Sequence, residues 1–222
     1  MTTSYINRDL FGGAITAMTP AELVDASDLR QVPDNQEVFM YDRNSVSIIV
    51  EVLQAVNASE ADKAIRFHFD SLAHDNSAEK SEVQQVDIIP NARGDTTPPA
   101  IILQGTQFVH KFNRQEVDTV KILMALYRVQ DKNVDLVVTF NVPLVAEAGA
   151  VSEADMLQVT HDFHEFRPVT KDCQLWTLRI IKLRPICVRC NGFPVDTRFA
   201  GVCRTVSSIC SWCGCTIVNE AK

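Results

Sequence analysis

Leu10-Phe11-Gly12-Gly13-Ala14-Ile15 opens a stretch that runs through Asp25-Ala26-Ser27-Asp28-Leu29-Arg30 and Pro33-Asp34-Asn35-Gln36-Glu37-Val38-Phe39 to Ser47-Ile48-Ile49-Val50-Glu51-Val52-Leu53. The paired glycines let the backbone take positive φ or approach a neighbour closely. Pro33-Asp34-Asn35 is a turn: proline presets φ, and Asp or Asn bonds to nearby backbone. Val46 to Leu53 is apolar and largely β-branched except for Ser47 and Glu51, which predicts a buried strand carrying one acid. Glu37 to Tyr41 is a second strand, and Asp42-Arg43-Asn44-Ser45 between the two is a hairpin loop.

These same residues carry a resemblance. Phe11 to Ile15, the run from Asp25 through Arg30 to Val32-Pro33-Asp34-Asn35-Gln36-Glu37-Val38-Phe39, and Ser47-Ile48-Ile49-Val50-Glu51 resemble the Ran guanine nucleotide release factors, small proteins that act on the GTPase Ran in nuclear transport. The match is long and ordered, and a weaker likeness continues to about Trp176. The resemblance implies a curved, mainly antiparallel sheet flanked by helices, similar to the PsbP fold. It also implies a monomeric Ran-binding protein of nucleus and cytoplasm that promotes GTP release without being an enzyme.

Outward from that stretch, residues 1 to 9 read as a loose start, Phe11 to Met18 as a strand ended by Pro20, and Ala21 to Val32 as a strand and turn. Ser59, followed by Asp62, caps a first helix whose Ala61, Ala64, Ile65, His68, Phe69 and Leu72 share one face. His68 on that face is expected to be a packed histidine with one hydrogen bond. His74 to Pro99 is polar and reads as a loop with a short strand at Val83 to Ile89. Ala100 to Phe112 and Val117 to Val129 are strands. Asn133 to Val142 alternates, with Asp135, Thr139 and Asn141 opposite the apolar residues, and reads as half-buried and stopped by Pro143. Ala146 to Val151 is a linker, and Ser152 caps a second helix. On that helix His161 and His164 read as a solvated face, not a metal site. Consecutive strands with short links and two helices make an α/β layered domain on an antiparallel sheet.

The 222 residues suffice for one domain with a core, and no run of 18 apolar residues occurs to cross a membrane. The first residues lack the pattern of a signal peptide, so the expected compartment is cytosol or nucleus. Net charge is −7, unevenly spread. Seven of the 21 Lys and Arg, but two of the 28 Asp and Glu, lie beyond residue 176, leaving 14 against 26 before it. So acidic a body disfavours nucleic acid, which needs clustered cations, and suits a basic protein partner. There is no phosphate-binding loop, no Gly-x-Ser-x-Gly elbow and no His-Glu-x-x-His, so neither nucleotide, metal nor other cofactor is expected in the body.

The boundary falls at residue 176: residues 1–176 form the domain, and 177–222 a basic tail with six of the seven cysteines. Cys187-x-x-Cys190 and Cys210-x-x-Cys213, nineteen residues apart, have zinc-ribbon spacing. Cys203 and Cys215 are left over, and the intervening residues do not alternate, so the preferred reading is an extension without an evolved fold.

Asp25, Asp28, Asp34, Glu37 and Glu51 crowd into one segment, and turns that fold it back would gather carboxylates on one surface. Asp25 and Asp28 are explained as readily by capping and turning the backbone, and Arg30 by an internal ion pair. Glu37 and Glu51 sit on strands, where capping does not account for them. The resemblance implies that Asp34, Glu37 and Glu51, with Asp25, Asp28, Arg30, Asn35 and Gln36 around them, contact Ran; Gln54 stands where relatives often carry an acid. The competing functions are a trafficking adaptor using the same domain and a zinc module in the tail.

Overall fold

The computed structural model describes residues 3–110, 117–145 and 151–170; the expected domain boundary and the cysteine-rich tail lie outside the described residues. In chain order the strands are β1 (Tyr5–Leu10), β2 (Ile15–Pro20), β3 (Leu23–Asp25), β4 (Gln36–Tyr41) and β5 (Ser47–Gln54). Helix α1 (Ala61–Asp75) follows, then β6 (Ala78–Ile89), β7 (Ala100–His110), β8 (Val117–Val129) and β9 (Val134–Val145), then α2 (Glu153–Glu165) and β10 (Val169–Thr170). Seven strands form one antiparallel sheet in the order β3-β4-β5-β9-β8-β7-β6, and β1-β2-β10 form a small second sheet.

The large sheet is covered on both faces, which is the layered α/β arrangement expected. On one face Ile48, Val50, Val52, Leu123, Val138 and Phe140 pack against β2 and α2, with Phe163 and Phe166 edge-on to Phe140 at 5.3 and 5.9 Å. On the other, Ile65 and Phe69 of α1 pack onto Ile101, Leu103, Ile122, Met124 and Val137. Gly105 of β7 lies directly under Phe69. No described helix is long and apolar enough to cross a membrane.

Several expectations are corrected, each for a tertiary reason. Within the stretch expected to be a loose start, Tyr5–Leu10 form strand β1. It is too polar to be read locally, yet it pairs along its length with β2, and Tyr5 donates a 2.6 Å hydrogen bond to the buried carboxylate of Asp162, which also accepts one from Tyr41 at 2.6 Å. Phe11 to Gly13 is a tight turn, not strand. Glu60, not Ser59, precedes α1, and no side chain caps it. The polar stretch after α1 is the twelve-residue strand β6. A register shift between Val83 and Gln85 places Val83 and Val86, three apart, on one face, so the period of two is broken just where it would show. Pro143 lies inside β9, beside the register shift between Thr119 and Val120 of β8.

The largest correction is β9 itself. It is buried on both faces, not one, because α1 covers the side that carries Asp135, which is 0% exposed. Asp135 accepts from His68 Nε2 at 2.9 Å, Arg128 Nε at 3.0 Å and the Val56 N–H at 3.0 Å. His68 is therefore the packed, hydrogen-bonded histidine expected. Burial pushes the Asp135 carboxyl up, but those hydrogen bonds and the attraction of His68 outweigh it and hold it below the usual carboxylate range. The cap of α2 is as expected, with Ser152 Oγ accepting the Asp155 N–H at 3.1 Å. His161 of that helix is exposed and shares a 2.9 Å hydrogen bond with the Tyr5 hydroxyl.

Candidate functional site

The β4–β5 hairpin fixes the geometry of the acidic segment. Its register sets Gln36 opposite Glu51 and Glu37 opposite Val50. Neighbouring strand residues point to opposite faces, so Glu37 and Glu51 lie on opposite sides of the sheet. The expectation that both contribute to one carboxylate surface is corrected: a single strip carrying both does not exist.

Glu37 faces the β2 and α2 side, in line with Phe39 and Tyr41. Its Oε1 accepts the Phe11 N–H at 2.6 Å. Phe11, Gly12 and Gly13 have φ of 51°, 65° and 89°, a left-handed run that a side chain at Phe11 enters only under strain. The carboxylate pins that turn to β4. Burial pushes the Glu37 carboxyl up; the Phe11 hydrogen bond opposes this, the charge of Asp25 adds to it, and Arg8 pulls it back. Arg8 lies over the Phe39 ring at 5.0 Å and donates to Thr19 Oγ1 and the Leu23 carbonyl, both at 3.3 Å. This group is internal scaffolding around the Phe11-Gly12-Gly13 turn.

Glu51 faces the α1 side, half-buried. Gln36 Nε2 donates to its Oε1 at 2.6 Å. Burial pushes the Glu51 carboxyl up, against the Gln36 hydrogen bond and the influence of His68. The turn leading into β4 closes beside it: the Gln36 N–H donates to the Pro33 carbonyl at 2.9 Å. The Asn35 carbonyl accepts the Val52 N–H at 3.0 Å, and Asn35 Nδ2 donates to the Val52 carbonyl at 3.4 Å. Asp34 at the turn is exposed. The structure thus brings Asp34, Asn35, Gln36 and Glu51 together at the open end of the hairpin.

The remaining three residues lie apart from that end. Asp25 caps a short turn by accepting the Ser27 N–H at 2.8 Å, as a backbone role requires. Asp28 in that turn is exposed, and Arg30 is half-buried. Among the described residues Arg30 makes no ion pair with Asp25 or Asp28, so the expected internal pair is absent. Gln54 is exposed and edges a shallow cleft with Ala55, Val56, Asn57, Ala58, Lys63 and Phe67.

What single-residue reasoning missed is the apolar flank of the polar cluster. Ile49 of β5 and Met40 of β4 share the face of Glu51 and are half-buried, while Leu53 on the same face packs into the α1 cluster and α1 makes its main contacts with β6, β7 and β8. The signal was present in β5: Ser47 and Glu51 alternate with the fully buried Ile48, Val50 and Val52, which marks the odd-numbered face as the less covered one. Among the described residues no group of three or more His, Cys, Asp or Glu is placed to hold a metal ion.

Residues 8–143 match the family described as Ran-interacting Mog1 protein. The zebrafish (Danio rerio) Ran guanine nucleotide release factor is 34% identical over 176 residues, covering 77% of this chain and 96% of that protein. The nuclear import protein MOG1 of Saccharomyces cerevisiae is 34% identical over 158 residues, covering 63% of this chain and 66% of its own. The crystal structure of the S. cerevisiae Ran-binding protein Mog1p superposes with a TM-score of 0.60 at 28% identity, covering 78% of this chain and 99% of that one.

Proposed function

We propose, from the fact that this chain belongs to the Ran-interacting Mog1 protein family, that it binds the GTPase Ran, promotes release of its GTP and supports nuclear protein import. The observation that carries this reading is the family match itself, which spans the whole β4–β5 hairpin. The open end of the hairpin has the chemistry such a partner needs. Asp34 and Glu51 supply negative charge, Gln36 holds Glu51, Asn35 ties the turn to Val52, and Ile49 and Met40 lie alongside. An interface of this kind is a small apolar patch with a charged rim that steers a basic partner.

The mechanism is linkage. A protein that binds nucleotide-free Ran more tightly than loaded Ran must lower nucleotide affinity by the same factor. The chain makes and breaks no bond in this reading. Glu51 and Asp34 compete for the cationic groups that hold the phosphates, and the protein works as a monomer in nucleus and cytoplasm. Glu37 acts at one remove, by holding the Phe11 turn.

Stopped-flow release of labelled GTP from Ran tests this. The double variant Asp34→Ala/Glu51→Ala is expected to slow release about tenfold or more, the loss of an interfacial charged cluster. Glu37→Ala is expected to lower folding stability by about 1–3 kcal/mol, by leaving the Phe11 N–H unpaired, and to release GTP normally where it is folded. Full activity in the double variant would remove the hairpin end from the mechanism.

A further inference from the structure

At the far half of the large sheet, on the side that faces α2, a cleft opens between the β6–β7 connection and the end of α2. Its floor is Ala100 and Ile102 of β7 with Ala125 and Tyr127 of β8; Phe163 and Phe166 form one wall, and Ile89, Pro90 and Pro98 another. Its polar lining is Arg93, Arg167, His164, Asn91 and the Tyr127 hydroxyl. The cleft lies on the opposite face of the sheet from Glu51, and none of the residues proposed to meet Ran lines it.

Three features mark it as a built site. Arg93 is locked in position: Nη1 and Nη2 donate to the carbonyls of Arg167 and Pro168 at 3.3 and 3.1 Å, and Nε pairs with Asp95 at 3.2 Å. It therefore contributes a fixed charge. Among the described residues Arg167 is anchored through Nε alone, which donates to the His164 carbonyl at 2.9 Å, leaving its terminal nitrogens as donors. Tyr127 lines the cleft and is 5% exposed as a whole residue; its hydroxyl makes no hydrogen bond among the described residues and is not among their buried, unpartnered side-chain atoms, so it is reached by solvent and free to donate. Burial of the residue pushes this hydroxyl up to about 12, although both guanidinium groups pull it down.

We propose that this cleft binds a small-molecule carboxylate carried on a short apolar body, with Tyr127 and Arg167 donating to its oxygens. Two guanidinium groups against one aspartate leave a single positive charge, which suits a carboxylate better than a dianionic phosphate. The cleft encloses about 30 Å³, room for a head group alone; the apolar body rests on Pro90, Pro98 and Phe166 at its rim. A carboxylate in place accepts from the Tyr127 hydroxyl where solvent otherwise would, and charge-assisted bonds of this kind are the strong ones.

The test is titration of the isotope-labelled full chain with benzoate, followed by amide shifts. Benzoate is expected to saturate with a Kd of about 1 mM, in keeping with so few atoms, and to shift residues around 93, 127 and 167. Benzamide, its neutral isostere, is expected to bind at least tenfold more weakly. Tyr127→Phe and Arg167→Ala are each expected to weaken benzoate about tenfold. Tyr127→Phe removes no existing hydrogen bond, so its melting temperature is expected to stay that of the parent, which keeps that variant informative even if Arg167→Ala folds poorly. The proposal is overturned by the absence of saturable benzoate shifts, by equal binding of benzamide, by a Tyr127→Phe variant that binds benzoate as well as the parent, by tighter binding of phenyl phosphate, or by binding of a capped glutamate peptide where benzoate fails.

Discussion

Gly105→Ala is expected to destabilise the protein by about 2–4 kcal/mol, the cost of forcing atoms into a packed layer that cannot yield. A Cβ on residue 105 would stand 2.6 and 2.7 Å from two ring carbons of Phe69 and 2.9 Å from the Glu82 carbonyl oxygen. Phe69 is 0% exposed in the interface of α1 with the sheet, and Glu82 is backbone of the neighbouring strand, hydrogen-bonded in register. One neighbour is a ring held on all sides and the other is main chain, so neither retreats cheaply. The glycine is needed here for close approach rather than for an unusual φ. For a domain of this size the loss corresponds to a fall in melting temperature of about 10 °C. Adding Phe69→Leu should recover part of it by withdrawing the ring, though not the clash with Glu82. A melting temperature within a degree of the parent for Gly105→Ala would mean that α1 sits more loosely on the sheet than described.

How legible the fold was depended on whether an element's environment is local. The strands β4, β5, β7 and β8 could be read within a residue or two over their described lengths, because apolar runs bounded by turn residues need no partner to be recognised. β1 was invisible because its residues are polar and its anchors, Asp162 and the β2 ladder, are distant in sequence. β6 was shortened because its register shift breaks the alternation that defines a strand. The period of two correctly sets Asp135 opposite the apolar side of β9, but it carries no sign that a helix some seventy residues earlier covers that face and brings His68 to it.

The candidate site was half legible for a similar reason. Turn chemistry at Asp25 and at Pro33-Asp34-Asn35 follows from residue type. The parity of Glu37 and Glu51 does not: it depends on register, and only Gln36 opposite Glu51 shows that the two acids part company. The stretch that carries the family resemblance therefore contains two kinds of residue. Phe11, Gly12, Gly13 and Glu37 maintain a strained turn, while Asp34, Asn35, Gln36 and Glu51 line an accessible end. Such a stretch mixes residues that hold the fold with residues open to a partner, and only the second kind enters the binding proposal.

Asp135→Ala is expected to be the most damaging single change, at about 3–5 kcal/mol, because it breaks a buried pair and leaves the other charge behind. Arg128 has a side chain only 13% exposed and would lose its anion; His68, at 3%, and the Val56 N–H would lose their acceptor as well. Arg128 also donates to the carbonyls of Val56 and Ala58, so the loop that leads into α1 is held by the same centre. Urea unfolding at pH 7 measures the loss, and less than about 1 kcal/mol would refute this account. The pH dependence gives a second reading. The folded Asp135 carboxyl lies below its ordinary value of about 3.9, so the unfolded chain binds the proton more readily. Its contribution is complete above that unfolded value and drains away as pH falls through the folded one. The parent should therefore lose stability as the medium is acidified below about pH 4, and the Asp135→Ala curve should be flatter there. Replacing the whole centre with apolar residues, His68→Leu, Arg128→Met and Asp135→Leu together, should cost less than Asp135→Ala alone, since no charge is then stranded. A triple variant less stable than the single one would show instead that these hydrogen bonds, rather than the avoidance of an orphaned charge, hold α1 to the sheet.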